Sequence, residues 1–274
     1  MTASIDFSEY ERRFLEYTEG FSDVPDAAPL RLKVEHTFRV FEHAQRIVDT
    51  LPLEENTRPW TDDPSACRAA ILAALFHDCG RFPQFKRYRT FLDAAAVIHA
   101  VLSFQTMRDQ GFLAQESAKV RDLAHCAVLL HNRYELSPKL DARARFATDI
   151  VRDADKLDIF RIMVSYLTSA LPEKDAVLLH VKDDPEKWSP IVVQDVLDGR
   201  IARYTDLRYV NDFRLLLGTW MDELRFSATR QALADSGLMD EVLKQLPDAP
   251  ELRPAVDILR EKLERCRSAA ARMD

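Results

Sequence analysis

The chain has 274 residues and a formal net charge of −7, and hydrophobic residues make up 47% of it. This composition supports a sizeable core and argues against global disorder, and the negative charge argues against generic nucleic-acid binding, which depends on clustered Lys and Arg. The 6 glycines are too few for the many tight turns of a β fold, so an all-α fold is predicted.

The predicted elements are helices throughout. Their apolar residues recur at three-, four- and seven-residue steps, or form buried-looking runs that end at Gly or Pro. The predicted helices cover, in chain order, residues 7–20, 31–51, 64 to about 80, 93–110, 115–131, 142–171, 190–200, 205–231, 238–246 and 250–272.

Two details of these elements carry specific expectations. Asp63 and Pro64 form a good helix start, with an N-cap carboxylate and a proline at the first helical position. Gly80 is expected to cap the C-terminus of the same helix. The aromatic and basic segment that follows, RFPQFKRYRTF at residues 81–91, is predicted to be a loop.

The cysteine spacing and the N-terminal residues predict the cellular compartment of the protein. The 4 cysteines show no C-x-x-C spacing, which is typical of reduced thiols in a cytoplasmic protein. The N-terminus has no basic region followed by an apolar run, so no signal peptide is expected. No apolar run reaches the ~18 residues of a membrane span. We therefore expect a cytoplasmic protein without membrane association.

His77 and Asp78 end an otherwise apolar helix, AAILAALFHDCG. A carboxylate at the end of a buried run is costly unless its charge is compensated. A divalent cation would compensate it, and the free carbonyls of the last helical turn also favour a cation there. Taken alone, however, the dipeptide is better explained as an exposed polar helix end.

Two further stretches hold candidate ligands. His36 lies in VEHTFRV, at the start of a separate amphipathic helix, and Asp153, Asp155 and Asp158 interrupt a buried-looking helix in IVRDADKLDIFRIMV. Three carboxylates in six residues suggest a metal or phosphate site. The alternative is a solvated, salt-bridged helix face.

The order of His36, His77-Asp78 and Asp155 over successive helices resembles the HD superfamily of metal-dependent phosphohydrolases. The resemblance covers about residues 31–165. It is carried by the strings VEHTFRV, LFHDCGRFPQF, YRTFLDAAAVIHA, LLHN and IVRDADKLDI.

The resemblance implies an HD-domain helical bundle with an additional C-terminal helical region. The expected division is an N-terminal helix and loop over residues 1–30, the HD metal-binding domain over residues 31–171, and C-terminal helices over residues 172–274. Those last helices either pack on the core or belong to the same domain.

The resemblance also implies a ligand set for one divalent metal: His36, His77, Asp78 and Asp155. Asp155 is preferred to Asp153 because the late ligand of the family sits in an Ala-Asp-Lys/Arg context, which Ala154-Asp155-Lys156 matches. Asp153 would then orient a ligand or a basic side chain.

Some branches of the superfamily bind a second ion through two more histidines, with the HD aspartate as a bridge. His99 and His131 are the matching candidates here. His125 competes with His131, and His131 is preferred because it falls on the apolar stripe of its helix.

A donor set of imidazole and carboxylate without thiolate suits one or two ions of Mn, Fe, Co, Ni, Mg or Zn. The implied chemistry is metal-assisted hydrolysis, in which the ion lowers the pKa of water and polarises a phosphoryl oxygen. Asp78, Arg81 and Lys156 are the catalytic candidates. The positive side chains of Arg81 and Lys156 would stabilise the negative charge that develops on the phosphoryl group. Weaker cationic candidates are Lys33, Lys86 and Arg87.

The leading hypothesis is a phosphohydrolase that cleaves a phosphate ester of a nucleotide or another small molecule. Two alternatives remain open: a di-iron oxygenase on the same fold, and a non-catalytic regulatory module. The expected partner is a small phosphorylated substrate. The C-terminal helices could form a substrate cap, a homodimer interface or a regulatory element.

Overall fold

The structure is a computed structural model that describes residues 6–51, 63–93, 96–168 and 181–268. Within these ranges every regular element is a helix, which confirms the all-α prediction. The α-helices are, in chain order, α1 (Ser8–Glu19), α2 (Ala28–Thr50), α3 (Pro64–Phe76), α4 (Arg81–Tyr88), α5 (His99–Asp109), α6 (Ala118–Leu130), α7 (Ala142–Thr168), α8 (Pro190–Leu197), α9 (Val210–Trp220), α10 (Ser227–Asp235), α11 (Leu238–Lys244) and α12 (Arg253–Ser268). None of the helices in the described part of the chain has the length and apolar character needed to cross a membrane.

The chain forms two compact units, residues 1–155 and 156–274, and the division falls within α7. The boundary expected from sequence, between residues 171 and 172, lies outside the described residues and stays a prediction. The same holds for the end of the predicted helix 142–171, which the structure describes as far as Thr168.

The first unit is built around α3. The Asp63 carboxylate accepts a hydrogen bond from the Ser65 amide at 3.2 Å, so this helix starts at the predicted cap. Ala69–Phe76 is buried without interruption, and its many alanines let α2 and α6 pack closely on both sides. The end of this buried helix carries His77 and Asp78 into the interior.

The role expected of Gly80 is wrong. Its φ is −70°, an ordinary right-handed value, and α4 starts at the next residue. The glycine is needed for close approach instead: a Cβ at this position would lie 2.3 Å from the backbone nitrogen of Ser103. The Gly80 amide also donates to Ser103 Oγ at 2.9 Å, so the turn between α3 and α4 is hydrogen-bonded to α5.

The loop predicted for residues 81–91 is also wrong over most of its length, because residues 81–88 form α4. Phe82 and Phe85 lie three residues apart and are both buried, so tertiary burial of one helix face outweighs the weak local signal. Pro83 is tolerated because it lies in the first turn. Arg89, with a left-handed φ of 56°, ends the helix.

We expect Gly80→Ala to destabilise the first unit by about 3 kcal/mol, since the added methyl would overlap backbone atoms that cannot move aside. Gly20→Ala is the matched control, because Gly20 has a right-handed φ of −63° and its Cβ would meet one carbonyl oxygen at 3.3 Å. Urea unfolding of both variants measures the difference. Equal stability of the two would contradict the close-approach role.

The single helix predicted over residues 205–231 is wrong as well. Tyr204–Asp206 forms a 3-10 turn before α9, and α9 ends at Trp220 and is followed by a second 3-10 turn, Met221–Glu223. Leu224 and Phe226 then adopt extended backbone. Both of their side chains are buried, and this burial explains why the helix is interrupted here.

A buried carboxylate, that of Asp212, links two helices of the second unit. It accepts hydrogen bonds from the amide and hydroxyl of Ser189 at 2.6 and 2.7 Å, and from the amides of Arg208 and Tyr209 at 2.8 and 2.9 Å. Four donors compensate the burial of this charge. Asp212 thereby ties the start of α8 to the start of α9.

Candidate metal centre

The first unit brings six candidate ligands together from five helices. His36 lies on α2, His77 and Asp78 directly follow α3, His99 begins α5, His131 directly follows α6, and Asp155 lies on α7. All except Asp155 are buried, and the Asp155 side chain is 19% exposed. The cluster is therefore partly open to solvent at Asp155.

One half of the cluster faces a single oxygen of Asp78. Nε2 of His36 lies 3.2 Å from Oδ1 of Asp155 and 3.7 Å from Oδ2 of Asp78. Nε2 of His77 lies 3.6 Å from that same Asp78 oxygen and 3.8 Å from Asp155 Oδ1. Ligand atoms that share one ion at about 2.0–2.2 Å lie about 3–3.5 Å apart, so this half needs only small adjustments to hold one ion.

The other half faces the second oxygen of Asp78. Nε2 of His99 lies 3.6 Å from Asp78 Oδ1 and 3.0 Å from Nε2 of His131. In each half, one donor atom from each of three residues, with Asp78 in both sets, lies within 4.8 Å of the others. The two oxygens of Asp78 thus point to two adjacent groups of donors, as a bridging carboxylate would.

Two helix ends present their histidines in the same way. Nδ1 of His77 donates to the Ala74 carbonyl at 2.7 Å, and Nδ1 of His131 donates to the Val128 carbonyl at 2.7 Å. A carbonyl can only accept, so the proton of each ring is on Nδ1 and the lone pair is on Nε2. Each ring thereby satisfies an end carbonyl of its helix and turns its lone pair into the cluster.

These lone pairs fit a metal ion. Nε2 of His77 is buried and has no hydrogen-bond partner among the described residues. The Nε2 atoms of His99 and His131 face each other at 3.0 Å, close enough for one cation to bind both. Buried nitrogen donors beside a carboxylate are the set that divalent transition metals prefer.

The protonation states of the cluster also suit a cation. Burial lowers the pKa of His77 and lowers that of His131 to about 3, so both rings are neutral at pH 7. Burial by itself would raise the pKa of Asp78, but Lys33 and the neighbouring histidines and arginine outweigh it and hold that pKa well below its usual range. Neutral imidazoles and an ionised carboxylate are the forms that bind metal.

Lys33 is a cation in direct contact with the cluster. It lies one helical turn before His36 on α2, and its Nζ is 2.6 Å from Asp78 Oδ2. The ammonium also lies 5.8 Å from the ring centre of Phe91. The Lys33 side chain is 23% exposed, so it can be reached from solvent.

Arg81 is held on the other side of Asp78. Its Nε is 3.4 Å from Asp78 Oδ1. One nitrogen, Nη1, contacts three acceptors: Gln84 Oε1 at 2.8 Å, the Phe91 carbonyl at 2.6 Å and Asp93 Oδ1 at 2.8 Å. The guanidinium is therefore fixed by its neighbours. Its assignment to a substrate phosphate stays a prediction.

Two alternatives left open by the sequence have geometric support. Asp153 and Asp155 are two residues apart on α7, so their side chains leave the helix about 160° apart, and Asp155 is the one that contacts His36 and His77. His131 lies in the cluster, whereas His125 lines a separate cavity. Both observations support the residues preferred from sequence, although their role as ligands stays a prediction.

Lys156 is the first residue of the second unit. Its Nζ lies 3.1 Å from Oε2 of Glu223 and 6.0 Å from the ring centre of Trp220. Its catalytic assignment rests on the sequence resemblance alone and stays a prediction.

Asp93 is a site residue that sequence reasoning missed. Its Oδ2 accepts a hydrogen bond from His99 Nδ1 at 2.6 Å, and its Oδ1 accepts from Gln84 Nε2 at 3.0 Å as well as from Arg81. Burial opposes ionisation, but His99 and Arg81 lower the pKa of Asp93 to about 2. An acid within the apolar stretch LDAAAVIH, six residues before His99, was the available signal.

We expect Asp93→Asn to weaken Mn²⁺ binding by about 10–100-fold, because a carboxylate that orients a ligand histidine and raises its basicity has an effect of that size. Asp109→Asn, an exposed acid at the end of α5, is the matched control. Isothermal titration with MnCl₂ measures both. Equal Mn²⁺ affinity in the parent and the Asp93→Asn variant would show that Asp93 does not orient His99 for metal binding.

The fold and the cluster define a class: an all-helical protein whose buried histidines and aspartates suit divalent metal. In a comparison with protein families, the HD domain matches residues 34–159. No curated protein and no solved structure gives a significant match. The matched segment runs from α2 to α7 and contains the whole cluster, so this part of the chain is similar to the HD domain.

Proposed function

We propose that this protein is a metal-dependent phosphohydrolase that cleaves a phosphate ester of a nucleotide or another small phosphorylated molecule. One observation carries the proposal: the two oxygens of Asp78 face two adjacent groups of buried donors. Paired ions that share a carboxylate are typical of enzymes that displace phosphoryl groups.

The donor set of nitrogen and oxygen suits Mn, Fe, Co, Ni, Mg or Zn, as one ion or two. When bound, such an ion lowers the pKa of a water molecule and polarises a phosphoryl oxygen. His36, His77, Asp78 and Asp155 would hold one ion, and His99, His131 and Asp78 the second.

The charges of the cluster favour an anionic substrate. Asp78, Asp93 and Asp155 carry three negative charges, and Lys33 and Arg81 carry two positive ones. A single divalent ion would reverse the net sign. The partly open side of the cluster would then attract phosphate.

The two cations differ in what they can do for a phosphoryl group. Arg81 is held by three acceptors besides Asp78, so it positions Asp78 and Asp93. Among the described residues, Lys33 has Asp78 as its sole ion-pair partner. An ion on Asp78 Oδ2 would compete with that pair, so we infer that Lys33 is the cation that turns to the phosphate.

The test combines metal analysis of the purified protein with a screen of phosphorylated metabolites, in which released inorganic phosphate is measured with each of the six metals. We expect release that EDTA abolishes and the metal restores. Failure to release phosphate with any metal would reject the proposal. Bound iron with oxygen consumption would favour the di-iron oxygenase alternative.

A further inference from the structure

A cavity opens on the first unit, apart from the candidate metal centre. Its volume is about 640 Å³, and it is lined by α5, α6 and the turn between them. This volume lies within the ~300–1,000 Å³ typical of small-molecule sites. Apolar side chains form most of the wall, including Phe104, Met107, Leu113 and Leu129.

The cavity lies on other faces of the helices that carry His99 and His131. Phe104 follows His99 by five residues and His125 precedes His131 by six. At 100° per residue, these spacings turn the cavity side chains about 120–140° away from the two histidines. The cavity is therefore a separate site.

Two guanidinium groups give the cavity a positive character. The Arg108 guanidinium lies 5.7 Å from the ring centre of Phe104, and Arg121 has one long contact, 3.5 Å, to the Glu116 carbonyl. Neither arginine forms an ion pair within the described part of the chain. Asp122 is the one acidic side chain in the lining, so positive charge exceeds negative charge.

Two aromatic rings form part of the cavity wall. The rings of Phe104 and His125 meet edge to face, with centres 5.1 Å apart and planes at 90°. Burial lowers the pKa of His125, so this imidazole is neutral at pH 7 and behaves as an aromatic surface. An aromatic ligand can pack against the flat face of one of these rings and the edge of the other.

We propose that this cavity binds a small aromatic anion, with its ring against Phe104 and His125 and its acidic group between Arg108 and Arg121. The acidic group can be a carboxylate, a sulfonate or a phosphate, since all three accept from guanidinium in the same way. The proposal does not depend on the function of the metal centre.

The probe for the test is 8-anilinonaphthalene-1-sulfonate, a fluorescent aromatic anion, titrated into the full-length protein. Its neutral counterpart, N-phenyl-1-naphthylamine, lacks the sulfonate. We expect one saturable site for the anion, and the Arg108→Gln/Arg121→Gln variant should bind it about tenfold more weakly. The same variant should bind the neutral probe with an affinity within about twofold of the parent's.

Arg203→Gln is the matched control, because Arg203 is an exposed arginine of the second unit. A second variant, Cys126→Trp, fills the cavity from its lining and should abolish binding of both probes, with circular dichroism confirming the helical fold. Parent-like binding of the anion by the double arginine variant would overturn the proposal. A dimer that the arginine substitutions dissociate would also overturn it, because a second copy of the chain would then cover the cavity.

Discussion

The Asp78→Asn and His77→Ala variants are expected to lose both bound divalent metal and metal-dependent hydrolysis of a chromogenic phosphate ester. Asp78 is the residue that both donor groups share, so removal of its charge weakens both at once. His77 provides a buried Nε2 that has no hydrogen-bond partner among the described residues. We expect activity to fall at least about 10³-fold, to the level without metal.

Two substitutions serve as controls for this experiment. Asp49→Asn removes an exposed carboxylate from α2, and His125→Ala removes a histidine outside the cluster. Both should keep the metal content and activity of the parent. Elemental analysis, ester hydrolysis and circular dichroism on all four variants separate loss of the site from loss of the fold. Unchanged activity in both Asp78→Asn and His77→Ala would reject the assigned centre.

The second large effect concerns Lys33. We expect Lys33→Gln to keep its metal content, to raise KM by about 10–100-fold, and to weaken inhibition by inorganic phosphate by a similar factor, which is the range for loss of one charged hydrogen bond. Lys33→Arg should restore part of both effects. Lys139→Gln is the matched control, since Lys139 is an exposed lysine of the first unit that lies outside the cluster.

Arg81→Gln should show the opposite pattern. Because Arg81 contacts Asp78 and Asp93, its loss should lower metal content together with activity, with little separate effect on phosphate inhibition. Retained metal content with a raised KM would instead support the sequence-based assignment of Arg81 to the substrate phosphate. If Lys33→Gln leaves KM and phosphate inhibition unchanged, Lys33 does not contact the substrate.

The sequence by itself determined the features that depend on local periodicity. The apolar stripe of α2 and the unbroken apolar run of α3 predict helices because side chains three and four residues apart share one face. The same pattern places His36 on an amphipathic helix. The His77-Asp78 pair by itself was better explained as an exposed helix end, and only the structure shows that it is buried. The order of these residues along the chain was enough to indicate the HD superfamily and a helical fold.

Only the tertiary structure decided the features that depend on distant segments. Gly80 was expected to be a cap because its closeness to Ser103, 23 residues further on, leaves no local signal. The segment 81–88 forms a helix because Phe82 and Phe85 are buried by packing partners that its own sequence does not reveal.

The candidate metal centre shows the same difference between what the sequence predicts and what only the tertiary structure decides. Asp93 orients His99, and Lys33 pairs with Asp78 across 45 residues of chain. Propensity and periodicity act over a few neighbouring residues, whereas the candidate ligands from α2, α3, α5, α6 and α7 come together only when those helices pack. Helix packing is therefore what decides which charged residues meet.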